Sequence, residues 1–205
     1  MAGPILDGAV DVWVVAERIG STESTVCDVL RASLPWREAI QLRRDAYGRL
    51  TVDGSDGLTV SVSHTDGIVL VALGIGCRAG VDIEILRDRR LRRLPEHALT
   101  AAELRELRRF GSADRLAAFL NYWVRKEAVL KAAGFGLAIE PASINLPPPG
   151  SCTTLISGPP ELEPIERWTI HEVEIEGCVA AVATDEPSST VRVRRTITHG
   201  AGRRE

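Results

Sequence analysis

Two short stretches of this 205-residue chain hold side chains whose types and spacing suit chemistry on charged substrates. In Gly80-Val81-Asp82-Ile83-Glu84 the two acids are two positions apart. A strand would send both carboxylates to one face, about 6–7 Å apart, and turn Val81, Ile83 and Ile85 toward a core. Like charges held together repel unless a cation bridges them. Oxygen donors without His or Cys favour Mg2+, or Mn2+, over zinc. Taken alone, the pair also fits the solvent-facing side of an ordinary strand.

The second stretch, Trp123-Val124-Arg125-Lys126-Glu127-Ala128-Val129-Leu130-Lys131, holds both lysines of the chain; the other 23 Lys or Arg positions are arginine. Glu127 and Lys131 are four apart and share a helical face with Trp123. As a plain ion pair they contribute about 0.3–0.5 kcal/mol, and arginine would serve as well. Lysine differs in being a compact point charge rather than a planar fork, which matters beside a crowded phosphate or metal-bound group. Lys126 lies about 100° around the helix from Glu127 and Lys131 only about 40°. Lys131 is therefore expected to share the metal-facing side. His64 ends Ser61-Val62-Ser63-His64, at a strand end reachable from a cleft. It reads either as a structural hydrogen-bonding residue or as a donor to phosphate.

The elements that must position these residues follow from periodicity. Val10 to Ala16, Leu58 to Ser63, Ile68 to Leu73 and Val81 to Leu86 read as strands, with Asp66-Gly67 as a hairpin turn. Ser24 to Leu34 is spaced as a helix. Thr100 with Glu103 forms a capping-box signature for a helix over Ala101 to Arg109. Asp114 to Ala133 is the longest helical pattern, closed by Gly134. Trp168 to Ile175 and Cys178 to Thr184 read as a second hairpin. The polar, basic segment 188–205 reads as a disordered tail. Helices and antiparallel strands mix without βαβ alternation, which predicts an α+β fold. One domain over residues 1–187 is expected, in two halves of about 1–86 and 87–187.

Composition narrows the function. A net charge of −3 argues against general nucleic-acid binding. No apolar run approaches the roughly 20 residues that cross a bilayer, and a basic leader is lacking, so a cytoplasmic location is expected. Cys27, Cys77, Cys152 and Cys178 form no metal-binding or CxxC spacing. Arg87, Arg89, Arg90, Arg92 and Arg93 form either a solvated face or a docking surface for an acidic partner.

Taken in order, SVSHTDG, GVDIE and WVRKEAVLKAAGFG resemble the 4'-phosphopantetheinyl transferase superfamily, in its larger surfactin-synthetase-activating form. Trp123 with Lys126-Glu127-Ala128 is similar to the W/KEA subgroup. The resemblance covers roughly residues 26 to 184. It implies two pseudo-symmetric halves, each a small antiparallel sheet packed with a helix. Coenzyme A and Mg2+ would bind between them. It also implies transfer of the phosphopantetheine arm to a serine of an acidic apo carrier protein, leaving adenosine 3',5'-bisphosphate.

By motif, Asp82, Glu84 and Glu127 would be metal ligands, and His64, Lys126 and Lys131 would contact coenzyme A phosphates. Glu127 is the candidate base, and Lys131 would offset charge on the leaving group. Arg44 and Arg49 head four arginines, with Arg31 and Arg43, whose spacing leaves open which holds the nucleotide end. Gly48-Arg49-Leu50 stands where the family usually shows Gly-Lys-Pro, and Thr65 where it shows serine. The carrier is expected to belong to polyketide, nonribosomal peptide or fatty acid synthesis, and the chain to act as a monomer. Another Mg2+-dependent diphosphate-cleaving transferase and a catalytically silent carrier-binding module stay open as alternatives.

Overall fold

Alternating valines and small residues build β1 (Ala9–Ala16), whose odd and even positions serve different layers. A computed structural model describes residues 8–16, 21–35, 40–45, 48–55, 57–87, 95–150, 154–187 and 189–195. After β1 comes α1 (Thr22–Ser33), started by Ser21, whose hydroxyl accepts from the Ser24 amide. A small hairpin of β2 (Leu42–Arg44) and β3 (Leu50–Val52) follows. Next come β4 (Leu58–Thr65), β5 (Ile68–Ile75) and β6 (Ala79–Ile85). Helices α2 (Pro95–Ala98), α3 (Ala101–Leu107) and α4 (Arg115–Ala133) precede β7 (Thr169–Glu172), β8 (Cys178–Thr184) and β9 (Thr190–Arg195).

The larger sheet has the order β4-β5-β1-β9 and the smaller β6-β8-β7. Their facing sides meet through Val10, Val12, Leu70 and Ala72 on one and Val81, Ile83, Ala180 and Val182 on the other. Helix α1 covers the outer face of the larger sheet through Val26, Val29 and Leu30, against Trp13, Val69 and Val71. Helix α4 covers the outer face of the smaller sheet, against Ala181 and Ala183. Twelve of its nineteen residues are buried, so it is a core helix rather than an amphipathic surface one. Gly134, with φ of 83°, ends it in the left-handed conformation that glycine adopts without strain. The α+β class is as expected, with two small sheets, each carrying a helix.

Three features depart from the sequence reading. Strand β6 pairs with β8, so residues 79–85 lie in the same sheet as the strands near the C-terminal end, a pairing the sequence reading did not assign. Sheet membership is set by backbone pairing across long sequence separation, which local pattern does not carry. The hairpin β2–β3 was not anticipated, because strands of three residues fall below any periodicity.

The third departure is at the C-terminal end, where residues 190–195 form β9 rather than a disordered segment, running parallel to β1. Its alternation Thr-Val-Arg-Val-Arg-Arg puts Arg192 and Arg194 on one face. There they bind the fully buried Asp11 at 2.6 and 2.8 Å. Arg194 also lies 5.6 Å over the Trp13 ring. Those arginines looked like solvated charge only because their carboxylate partner lies about 180 residues away. Of the arginine-rich stretch, Arg87 is exposed, and positions 89, 90, 92 and 93 lie outside the described residues. Cys27, Cys77 and Cys178 are free thiols; Cys152 lies outside the described residues.

Candidate active site

Gly80 sets the geometry of the site. A Cβ there would fall inside contact distance of the Ala128 carbonyl oxygen and the Ala132 amide, and 2.9 Å from the Ala132 Cα. Strand β6 and helix α4 therefore touch backbone to backbone, which only glycine permits. This close seat brings the α4 face bearing Glu127 and Lys131 onto Asp82, two residues along β6. The Lys131 ammonium donates to Asp82 Oδ1 at 2.7 Å and to the Val81 carbonyl at 3.2 Å.

From the other side, β4 contributes two serines. Ser61 Oγ accepts from the Val81 amide at 3.1 Å, and Ser63 Oγ donates to Asp82 Oδ1 at 2.7 Å. Asp82 is 5% exposed, so its carboxylate is not solvated as an ordinary strand face would allow.

Beside this cluster opens a cavity of about 380 Å³, lined by Arg44, Arg49, His64, Glu127 and Lys131 together with Thr22, Ser61, Gly134 and Gly136. Five of the eight sequence-predicted site residues thus converge on one space, from β2, β4, α4 and the turn before β3. Arg49 is held by Asp45, which accepts from its Nε and its amide at 3.0 Å each. Its guanidinium fills the space that a side chain on Gly134 would need. That puts a cation at the negative end of α4. Arg44 donates to Glu23 at 3.1 Å and to the Gly48 carbonyl at 2.9 Å. His64 is exposed at the mouth.

Glu127 faces the cavity half-buried, and burial pushes its carboxyl above the usual carboxylate range. The negative charge of Asp82 raises it further, Lys131 pulls it back, and Glu84 adds a smaller rise. Glu84 itself is half-buried on β6, one same-face position beyond Asp82. A larger cavity, about 880 Å³, lies between the start of α4 and the β7–β8 turn. Its lining holds Asp114, Glu172, Glu174 and Glu176 and none of the predicted site residues.

Lys126, expected to contact phosphate, does not line the cavity. Its side chain is fully buried. Its ammonium donates to Glu103 Oε2 at 2.5 Å, to the Ala98 carbonyl at 2.8 Å and to the Pro141 carbonyl at 2.9 Å. Glu103 is 1% exposed and also accepts the Thr100 amide, closing the capping box of α3, and the Leu146 amide. Burial lowers the Lys126 pKa, and the Glu103 carboxylate offsets part of that. Three ammonium hydrogens meet three acceptors from three segments, a junction no planar guanidinium could replace. Lys126 is lysine for a structural reason, about 100° around the helix from the cavity-facing glutamate. Sequence reading gives Ser63, Gly80 and Asp45 no role at the site and Glu103 only its place in the capping box of α3. The period-two spacing of Ser61 and Ser63 and the glycine opening GVDIE were the available signals.

Among the described residues, no three acidic, histidine or cysteine side chains are arranged to enclose a metal ion. Two buried carboxylate oxygens are nevertheless without hydrogen-bond partners, Asp82 Oδ2 and Glu127 Oε1. Buried carboxylate oxygens are costly to leave unsatisfied, and an all-oxygen pair suits a hard divalent cation. The donor set fits Mg2+ in that sense.

An α+β protein that draws carboxylates and cations around one cavity between β4 and α4 is what fold and site define together. The family model of the 4'-phosphopantetheinyl transferase superfamily matches residues 78–183, just over half of the chain and a span containing β6, α4 and Asp82, Glu84 and Glu127. The chain belongs to that superfamily. It is similar to HetI, a 4'-phosphopantetheinyl transferase of Nostoc sp. (strain PCC 7120), with 33% identity over 130 residues. The matched region is 62% of this chain, and the chain spans about half, 52%, of the length of that relative.

Proposed function

We propose that this chain is a 4'-phosphopantetheinyl transferase of the larger W/KEA type. It moves the phosphopantetheine arm of coenzyme A onto a serine of an apo carrier protein. The observation that carries the reading is the convergence of Arg44, Arg49, His64, Glu127 and Lys131 on one cavity against Asp82. Membership of the superfamily supports it.

In the reaction, the serine oxygen forms a bond to the pantetheine-side phosphorus. The bond from that phosphorus to the bridging oxygen breaks, and adenosine 3',5'-bisphosphate leaves. Such transfers depend on in-line placement and charge neutralisation. Asp82, Glu84 and Glu127 would hold Mg2+, which supplies neutralisation of the pyrophosphate oxygens.

The chain's own groups do the rest. Arg44, Arg49 and His64 grip the anionic nucleotide end of coenzyme A. Lys131, 29% exposed and facing the cavity, offers its ammonium to the departing phosphate. Glu127, or a water beside it, accepts the proton of the attacking serine. Lys126 takes no part and instead anchors the helix that carries Glu127. An acidic carrier would dock through the arginine-rich stretch 87–93, chiefly gaining association rate. Carriers of polyketide or nonribosomal peptide synthesis are the first to try, with the enzyme a cytoplasmic monomer.

The test is incubation with coenzyme A, Mg2+ and a panel of apo carriers, read by intact mass. A gain of one phosphopantetheine arm on a carrier is the expected result, lost in Glu127→Gln. No modification of any carrier, or full activity in Glu127→Gln, would refute the assignment.

A further inference from the structure

We infer that Ser63 is a positioning residue for the cation site, acting through Asp82; the inference rests on the proposed metal role of that carboxylate. Ser63 sits on β4, in the larger sheet, and Asp82 on β6, in the smaller one. The hydrogen bond between them, 2.7 Å and buried, crosses from sheet to sheet. Ser63 is 8% exposed, and the cavity lining includes its neighbours Val62 and His64 but not Ser63 itself. It stands behind the carboxylate, out of substrate's reach.

The two oxygens of Asp82 are treated unequally. Oδ1 receives both Ser63 and Lys131, each at 2.7 Å, whereas Oδ2 is buried with no partner. Glu127 Oε1, on the facing helix, is likewise buried and unpartnered. Two donors on Oδ1 restrain the carboxylate, while Oδ2 is left free of any protein donor.

The two donors on Oδ1 are not equivalent. Lys131 lines the cavity and is drawn to any phosphate bound there, which takes it off Asp82. Ser63 has no such alternative. It is the donor that still holds Oδ1 once substrate is present, and the Ser61 hydroxyl on the Val81 amide keeps β6 in register with it. Groups that orient a metal ligand from behind typically matter by about 10–100-fold in metal affinity.

The experiment measures Mn2+ affinity of the full chain with adenosine 3',5'-bisphosphate present to draw Lys131 off Asp82, and again without it, by electron paramagnetic resonance and calorimetry, with thermal melting alongside. Ser63→Ala removes the donor. Ser63→Cys keeps the volume but leaves only a weak donor, and covers the case in which the alanine variant does not fold. Ser63→Thr keeps the hydroxyl in a strand that accepts β-branching. The alanine and cysteine variants are expected to bind Mn2+ about 10–100-fold more weakly, and Ser63→Thr to bind like wild type.

A purely structural serine would move the melting temperature and leave Mn2+ affinity alone, and that result would overturn the inference. If wild type binds Mn2+ and loses it in Asp82→Asn while Ser63→Ala and Ser63→Cys bind normally, only the role of Ser63 falls. If wild type binds no Mn2+ at all, the metal reading of Asp82 falls and this inference falls with it.

Discussion

Substituting Gly80 by alanine tests whether the seat of α4 on β6 sets the site. A Cβ at position 80 would lie 2.9 Å from the Ala132 Cα, with the Ala128 oxygen and Ala132 nitrogen nearer still. All three are backbone, so no side chain can swing aside. Against carbon–carbon contacts of about 3.5 Å, Ala132 Cα alone demands about 0.6 Å, and the nearer atoms bring the withdrawal of the helix to about 1 Å. The 2.7 Å bond from Lys131 to Asp82 then passes beyond hydrogen-bond reach.

Overpacking of this kind costs about 1–3 kcal/mol, or a melting temperature lower by roughly 2–12 °C for a chain of this size. Displacing Glu127 and Lys131 by about 1 Å is expected to cost about 100-fold in transfer rate. The assay is thermal melting with carrier modification followed by intact mass. Gly111→Ala serves as control, since a Cβ at Gly111 meets nothing within 4 Å. A Gly80→Ala protein that melts with that control and modifies carrier at its rate would refute the reasoning.

Glu127→Gln should abolish transfer yet raise the melting temperature of the metal-free protein at neutral pH. The folded Glu127 pKa is raised, so stability is lost as pH climbs from the ordinary carboxylate pKa through the folded value. The gain should therefore vanish below the ordinary carboxylate pKa, and melting curves with no such pH dependence would contradict the burial of that charge. Lys126→Met strands the buried Glu103 carboxylate, a loss of about 3–5 kcal/mol. Melting should fall by roughly 6–20 °C, whereas a phosphate-binding lysine would leave melting unchanged and raise the KM for coenzyme A. Charge reversal at Arg89 and Arg93 should raise the apparent KM for carrier at low salt, the difference shrinking as salt screens it; an unchanged KM would rule out that docking face.

The site was legible in sequence where chemistry depends on residue type at short spacing. GVDIE puts two carboxylates on one strand face, and the four-residue step from Glu127 to Lys131 puts an acid and a base on one helical face. The expectation that Lys131 rather than Lys126 shares the side of Glu127 followed from helix geometry alone, and their side chains do lie on different sides of α4. What stayed hidden depends on distant partners. Lysine scarcity drew equal attention to Lys126, although its three acceptors come from Ala98, Glu103 and Pro141. Ser63 looked like spacing between valine and histidine because Asp82 is nineteen positions away. The α+β class emerged from strand and helix periods, but β6 could not be assigned to its sheet without its partner β8.

The pairing of β9 with β1 has a consequence for the order of synthesis. Strand β1 leaves the ribosome well before β9, its neighbour in the sheet about 180 residues away, and Asp11 waits for arginines 181 and 183 positions downstream. Until they arrive, β1 carries an unpaired edge and a carboxylate without its counter-ions, contacts whose long sequence separation slows closure. The larger sheet therefore cannot mature as an independent N-terminal unit, even though β1, β4 and β5 are contiguous in it. A chain halted before residue 190 keeps every predicted site residue but leaves Asp11 without its cations, so completion of the larger sheet is deferred to β9.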